Sequence, residues 1–202
     1  MMMTMTKQTL LNDLKKEVLQ CKKCRICKCN QVFSCGNCDS KIMLIGEAPG
    51  KDEVKNKKPF VGAAGKNLTS YLEETDIDRE SDLYITNVVK CRPTPIDNPN
   101  KNKKPDNGEI RNCLPFLLKE IEIIKPKLIV LCGGTSYGAL TNKKSFKISD
   151  IRGKIFKINL NSVNCDAITI FHPSYLMQYA NENQISQTKD DLKLIKSYLD
   201  LK

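Results

Sequence analysis

The chain has no tryptophan and a single histidine, His172, in 202 residues, and its aromatic content is only 6%. One histidine excludes a zinc hydrolase built on several histidine ligands. It also counts against a cysteine protease, which needs a histidine beside its nucleophile. Long apolar runs are missing too: no stretch approaches the roughly 18 residues of a membrane span. The opening residues, MMMTMTKQTLLNDLKKEVL, lack the apolar core of roughly 7–15 residues and the small-residue cleavage site of a secretory signal. The expectation is a soluble, intracellular protein without a membrane partner.

What is present is charge and sulfur. Lys and Arg number 33 against 23 Asp and Glu, a formal net charge of +10. Such an excess attracts polyanions and speeds their capture, although a chain this rich in Lys, Asn and Ile is also basic from composition alone. Hydrophobic residues make up 40%, ordinary for a globular protein, and the length suits one domain that buries a core without disulfides. Six of the ten cysteines crowd together (Cys21, Cys24, Cys27, Cys29, Cys35 and Cys38), while Cys91, Cys113, Cys132 and Cys165 are scattered. In a reducing compartment, clustered cysteines more often hold metal than form disulfides.

Leu10, Leu11, Leu14, Val18 and Leu19 recur at helical spacing and lead into the cysteine cluster. Apolar runs at 41–45, 83–86, 128–131 and 167–171 read as strands, and 154–158 as a short extra strand. The charged stretch 51–58 reads as a surface loop. One helix carries Leu68, Tyr71 and Leu72. A second carries Ile110, Cys113, Leu114, Leu117, Leu118, Ile121 and Ile124 and is closed by Pro126, and a last one carries Leu192, Ile195 and Leu199. Strands alternating with helices predict a mainly parallel sheet covered on both faces. Sites in such sheets form beyond the carboxyl ends of the strands. Three post-strand turns would converge there: Gly46-Glu47-Ala48-Pro49-Gly50, Asn87, and His172-Pro173-Ser174. Taken singly, His172 reads as a structural hydrogen-bonder, Asn87 as a turn former and Phe60 as a core residue.

Together the motifs say more. GEAPG at 46–50, PFVGAAG at 59–65, ITNVVKCRP at 85–93, Cys113 on a helix and HPSY at 172–175 occur in an order that resembles the iron–sulfur, or family 4, uracil-DNA glycosylases. The resemblance covers most of the chain, from about Cys21 to the C-terminal helix. It implies a single uracil-DNA glycosylase-like domain over 1–202: a three-layer α/β/α fold with a mainly parallel, central four-stranded sheet. It also implies a monofunctional DNA-repair hydrolase that cuts uracil from DNA and leaves an abasic site without strand cleavage.

The resemblance assigns roles as well. Cys21, Cys24, Cys91 and Cys113 would ligate a 4Fe–4S cluster, with the N-terminal helix and the Cys-rich segment 21–38 contributing. Four thiolates suit such a cluster, and Cys-x-x-Cys commonly opens its site. Gly46, Phe60, Asn87 and His172 would bind uracil, Phe60 by stacking on a base flipped from the duplex. The Asn87 amide offers a donor to O4 and an acceptor to N3–H, which cytosine does not match. His172 would donate toward O2 as negative charge builds there, and Glu47 would sit near the attacking water or near the base. Leu176 falls at the DNA-wedge position, where its other reading is a core leucine.

The family pattern is not complete. Lys57, Val54 and Gln178 replace a Gly, an Asp and an Arg common in it, and the last change removes an expected phosphate contact. The loop between Cys91 and Cys113 is long and carries a basic insert at 98–105, read either as extra phosphate contact or as a solvated loop. It holds no histidine, so the covalent sugar adduct of a related subgroup is not expected. Cys27, Cys29, Cys35 and Cys38, spaced C-x-C-x5-C-x2-C, leave room for an additional zinc ion. Two other readings stay open: a non-catalytic iron–sulfur nucleic-acid-binding protein, and a glycosylase for another deaminated base such as hypoxanthine or xanthine. The expected partner is uracil-containing DNA, bound by a monomer, and replication or repair proteins remain open as partners.

Overall fold

The computed structural model describes residues 5–26 and 31–200. Strands that are apolar at almost every position must be covered on both faces, and three five-residue runs set the pattern. These are β2 (Ile42–Gly46), β3 (Leu83–Asn87) and β4 (Leu128–Cys132), and every residue in them is buried. They run parallel to one another and to β6 (Val163–Ile170), in the order β3-β2-β4-β6. The parallel core therefore has the expected four strands, but the sheet has six among the described residues. The two-residue β1 (Cys35–Gly36) pairs antiparallel with β3, and β5 (Ile155–Leu160) pairs antiparallel with β6. The last two are joined by a two-residue turn in which Asn161 takes a left-handed φ of 54°, a region Asn tolerates better than most residues.

Alternate residues feed two apolar clusters. Met43, Ile45, Tyr84, Ile129 and Leu131 face α1 (Lys7–Leu19) and α4 (Asn107–Ile124). Ile42, Leu44, Ile85, Val130 and Ile168 face α3 (Ala63–Glu73) and α8 (Glu182–Asp200). The result is the three-layer α/β/α arrangement. Thr6 caps α1 by accepting from Thr9 N, and an Asp106–Glu109 capping box starts α4. Leu11, Leu14 and Val18 of α1 share one cluster with Leu117, Ile121 and Ile124 of α4, each burial contributing roughly 1.5–3 kcal/mol.

Four short helices fall where the sequence showed a loop, a turn or nothing. The stretch read as a charged loop forms α2 (Lys51–Asn56). It is polar on all sides, so no periodicity marks it. It forms because Asp52 and Glu53 occupy its first turn and the Glu53 carboxylate accepts from Gly50 N at 3.0 Å. The others are α5 (Gly134–Thr141), α6 (Ile148–Ile151) and α7 (Pro173–Gln178). No helix of the described residues is long and apolar enough to cross a membrane.

Candidate active site

The register of the parallel strands sets Gly46 beside Asn87 and Cys132 beside Ile170, so four strands end along one edge. The ladder runs slightly beyond the sheet, with Val88 N donating to Gly46 O at 2.9 Å and Val89 N to Glu47 O at 3.0 Å. A cleft of about 440 Å³ opens at this edge, within the range of small-molecule sites. Glu47, Phe60, Asn87 and His172 all line it. Gly46 lies directly beneath: a Cβ there would stand 2.3 Å from Asn87 Oδ1 and 2.4 Å from Phe60 Cζ. Only glycine lets the amide and the ring approach this closely.

Phe60 is 6% exposed and adopts a left-handed φ of 54°, which costs a non-glycine residue on the order of 1 kcal/mol or more. Two side chains, Glu53 and Arg79, hold it there. Glu53 Oε1 accepts from Val61 N at 2.9 Å and Gly62 N at 2.7 Å, and Arg79 donates to Phe60 O at 2.8 Å and Pro59 O at 3.1 Å. The Phe60 and His172 rings stand 6.3 Å apart, tilted by 34°. Asn87 is 4% exposed, and its amide makes no hydrogen bond within the described residues.

His172 caps α7, its Nδ1 accepting from Ser174 N at 3.2 Å with Ser174 Oγ 2.8 Å away. A ring nitrogen that accepts a backbone N–H carries no proton, so in the neutral ring Nε2 is the donor. Burial lowers the His172 pKa, and nearby Glu47 works against the shift. Below its unfolded-state pKa of about 6.5, the unfolded chain takes up the proton first. Stability contributed by neutral His172 is therefore complete above about pH 6.5 and is lost as pH falls through the lower folded value. Thermal unfolding of wild type and His172→Gln between about pH 8 and about pH 5 checks this, because the wild type should lose more stability on acidification. Equal losses would refute it.

Glu47 receives a short hydrogen bond from the Thr135 hydroxyl at the start of α5. The basic insert is not a free loop. Arg92 donates to Asn102 Oδ1 at 2.7 Å and Asn100 O at 2.9 Å, and Lys103 N to Pro93 O at 3.0 Å, so Asn102 and Lys103 reach the cleft wall. Lys103 pairs with Asp106 and Glu109. Next to the cleft a second groove is lined by Lys104, Arg111, Lys143 and Lys144 and by no carboxylate. Glu53, Arg79 and Thr135 had no role in the sequence analysis, and Asn102 entered it only as part of the 98–105 insert. Thr135 alone had a signal, the Gly133-Gly134 turn that precedes it.

Leu176 does not stand free as a wedge: it is 5% exposed and packed in the cluster with Leu68 and Leu72 of α3. The exposed apolar residues of its segment are Met177, at 48%, and Tyr179, at 72%.

Cys21, Cys24, Cys91 and Cys113 line one recess with Val18, Ile26, Val89 and Phe116. The chain brings them together through short ties: Gln31 bridges to Cys91, Gln31 Nε2 donates to Cys21 O, and Val32 N donates to Lys90 O. Two sulfurs also have donors, Lys90 N at 3.1 Å from Cys113 and Asn112 Nδ2 at 3.4 Å from Cys24. Burial pushes the Cys113 thiol up to about 11, with the Lys90 charge opposing. Among the described residues no three potential ligands close on the point a single ion needs. Four sulfurs set around a recess, with N–H donors behind them, fit a larger multi-iron group. Of the additional zinc set, Cys27 and Cys29 lie outside the described residues. Cys35 and Cys38 pack against clusters on opposite faces of the sheet, so the fold does not bring this pair to a common centre.

The sequence matches the model of the uracil DNA glycosylase superfamily over residues 33–196. It is 38% identical over 197 residues to a type-4 uracil-DNA glycosylase of Thermotoga maritima, covering 96% of this chain and 97% of that protein. Type-4 enzymes of Archaeoglobus fulgidus and Saccharolobus solfataricus are 37% and 40% identical, covering 83% and 81% of this chain and 83% and 76% of their own lengths.

Proposed function

The chain belongs to the uracil DNA glycosylase superfamily, and from that premise we infer that it is a monofunctional DNA-repair glycosylase that hydrolyses the bond between uracil and deoxyribose. The observation that carries this reading is the convergence of Glu47, Phe60, Asn87 and His172 on one cleft at the carboxyl edge of the sheet.

The chemistry follows from where charge develops. As the N1–C1′ bond breaks, its electron pair goes to uracil and positive character builds on the sugar. His172 Nε2–H, fixed by the Nδ1 contact, meets the charge gathering on O2. Phe60 supplies a stacking face for a base withdrawn from the duplex, and the unoccupied Asn87 amide matches uracil O4 and N3–H. Glu47, oriented by Thr135, sits where it can stabilise the sugar cation and orient the water whose oxygen bonds to C1′. Nothing in this sequence needs a lysine nucleophile, which agrees with base release that leaves the strand intact. The carboxylate-free groove of Lys104, Arg111, Lys143 and Lys144 suits the phosphates of the DNA strand. The cleft is complete within one chain, in keeping with a monomer. The four-cysteine recess would hold a 4Fe–4S cluster through Cys21, Cys24, Cys91 and Cys113. When bound it would supply a structural clasp between α1, the end of β3 and α4, apart from the reacting bond.

The test is release of base from oligonucleotides bearing one uracil, single-stranded or opposite G or A, read as alkali-dependent strand cutting by protein purified without air. Cutting supports the reading. Its absence from folded, iron-containing protein would leave the binding-protein alternative, and release of hypoxanthine or xanthine instead would reassign the substrate. In the same assay Gly46→Ala should lower kcat/KM by about 10²-fold, because the new Cβ displaces Asn87 or Phe60 by about 1 Å or more. Wild-type kinetics in that variant would sink the pocket assignment.

A further inference from the structure

Among the described residues, the most deeply buried charges are not in the cleft but behind it. Lys90 and Glu120 are 1% and 0% exposed and form a close ion pair. Every donor of the ammonium is used: one goes to Glu120, one to Thr86 Oγ1 at 2.5 Å and one to the backbone carbonyl of Asn87 at 2.9 Å. Glu120 in turn accepts from Tyr84 OH at 3.0 Å and from Thr86 Oγ1. A buried pair of this kind is weak evidence for stability, since well-packed neutral residues serve as well or better. Its geometry suggests another use. The peptide that follows Asn87 is held at both ends, its carbonyl by Lys90 and its N–H by Gly46 O at 2.9 Å. That fixes the backbone torsion from which the Asn87 side chain points, while the amide itself has no partner within the described residues to steer it.

We propose that Lys90, aimed by Glu120 and Thr86, is a positioning residue: it locks the Asn87 peptide so that the free amide faces the base in the cleft. The proposal rests on the functional reading above. It makes base recognition depend on a cation that never touches the base, and it places the control on α4, the helix that also carries Cys113.

The variants separate positioning from stability. Glu120→Gln keeps one acceptor oxygen for Lys90, which can still reach the Asn87 carbonyl, but removes its counter-charge, so this variant should melt lower than wild type. Lys90→Met with Glu120→Gln removes both charges, avoiding an unpaired buried ion, and deletes the hold on the Asn87 carbonyl together with the ammonium's bonds to Thr86 and Glu120. Each protein, purified without air, is assayed for melting temperature, kcat/KM on a uracil oligonucleotide, inhibition by free uracil, and binding to the same oligonucleotide with thymine in place of uracil. The double variant should bind the thymine strand as wild type does, while kcat/KM falls about 10²-fold and the uracil inhibition constant rises about tenfold or more. Glu120→Gln should stay near wild type in both. Wild-type kinetics and uracil inhibition in the folded double variant would overturn the proposal. If the double variant does not fold, Thr86→Val decides: it keeps the ion pair but removes one acceptor that aims the ammonium. A raised inhibition constant there supports the proposal and a wild-type value overturns it. A wild type that releases no uracil counts against the functional reading itself, whatever the variants do.

Discussion

His172→Ala lowers kcat for uracil release by about 10²–10³-fold with little change in KM. That is the expected cost of removing one preorganised donor from a developing anion. The split follows from when the interaction matters. Uracil in the ground state shows O2 as an ordinary carbonyl, and the Nε2–H bond gains most of its strength as the N1–C1′ pair moves onto the base. A raised KM with kcat unchanged would mean that His172 only holds the base. His172 also caps α7 through Nδ1, and losing a cap costs about 1 kcal/mol. His172→Asn separates the two roles. Asn is among the best capping residues, but its shorter side chain cannot place a donor where Nε2 lies. If the alanine effect came from fraying of α7, asparagine would restore activity together with the melting temperature. If it comes from the lost donor, asparagine restores only the melting temperature.

The contrast between His172 and Leu176 shows what this sequence could reveal. The four parallel strands were readable because β2, β3 and β4 are apolar at almost every position, and the convergence of 46–50, Asn87 and 172–174 follows once those strands lie side by side. The direction of an individual side chain beyond the sheet does not follow. Leu176 sits four residues after His172, where spacing alone suits either a wedge or a core residue. Its packing with Leu68 and Leu72 of α3 decides for the core, and that is a contact between segments about a hundred residues apart. Glu53, Arg79 and Lys90 were silent for a related reason. Each acts on backbone groups, Glu53 on the N–H groups of Val61 and Gly62, Arg79 on Phe60 O and Lys90 on Asn87 O. A backbone acceptor or donor leaves no trace in the residue type of its partner. The edge strand β1 was hidden because two residues have no period, and α2 because a helix polar on all sides has none either.

Cys113→Ser should cost the protein more than any change in the cleft. The recess lies within the same cluster that joins α1 to α4, with Cys91 and Cys113 buried and Cys21 and Cys24 packed against it. It is where the chain end carrying Cys21, the segment after β3 and α4 meet. Binding that exists only in the folded state adds directly to stability. For the proposed four-thiolate site, losing one ligand should remove the iron, the visible absorbance of purified protein and several kcal/mol together. At about 2–4 °C per kcal/mol for a chain of this size, the melting temperature should fall by roughly 10 °C or more. Cys132→Ser is the matched control. Cys132 is 0% exposed on β4, where burial alone raises its pKa, so its substitution carries the ordinary cost of a buried hydroxyl, about 1–3 kcal/mol, with iron retained. Cys35→Ser and Cys38→Ser, on opposite faces of the sheet, should also keep the full iron content. If Cys113→Ser holds its iron and melts like Cys132→Ser, the four cysteines are simply core residues. The recess would then need another occupant, and the end of β3 would be joined to α4 by the Lys90–Glu120 network and apolar packing, without a metal clasp.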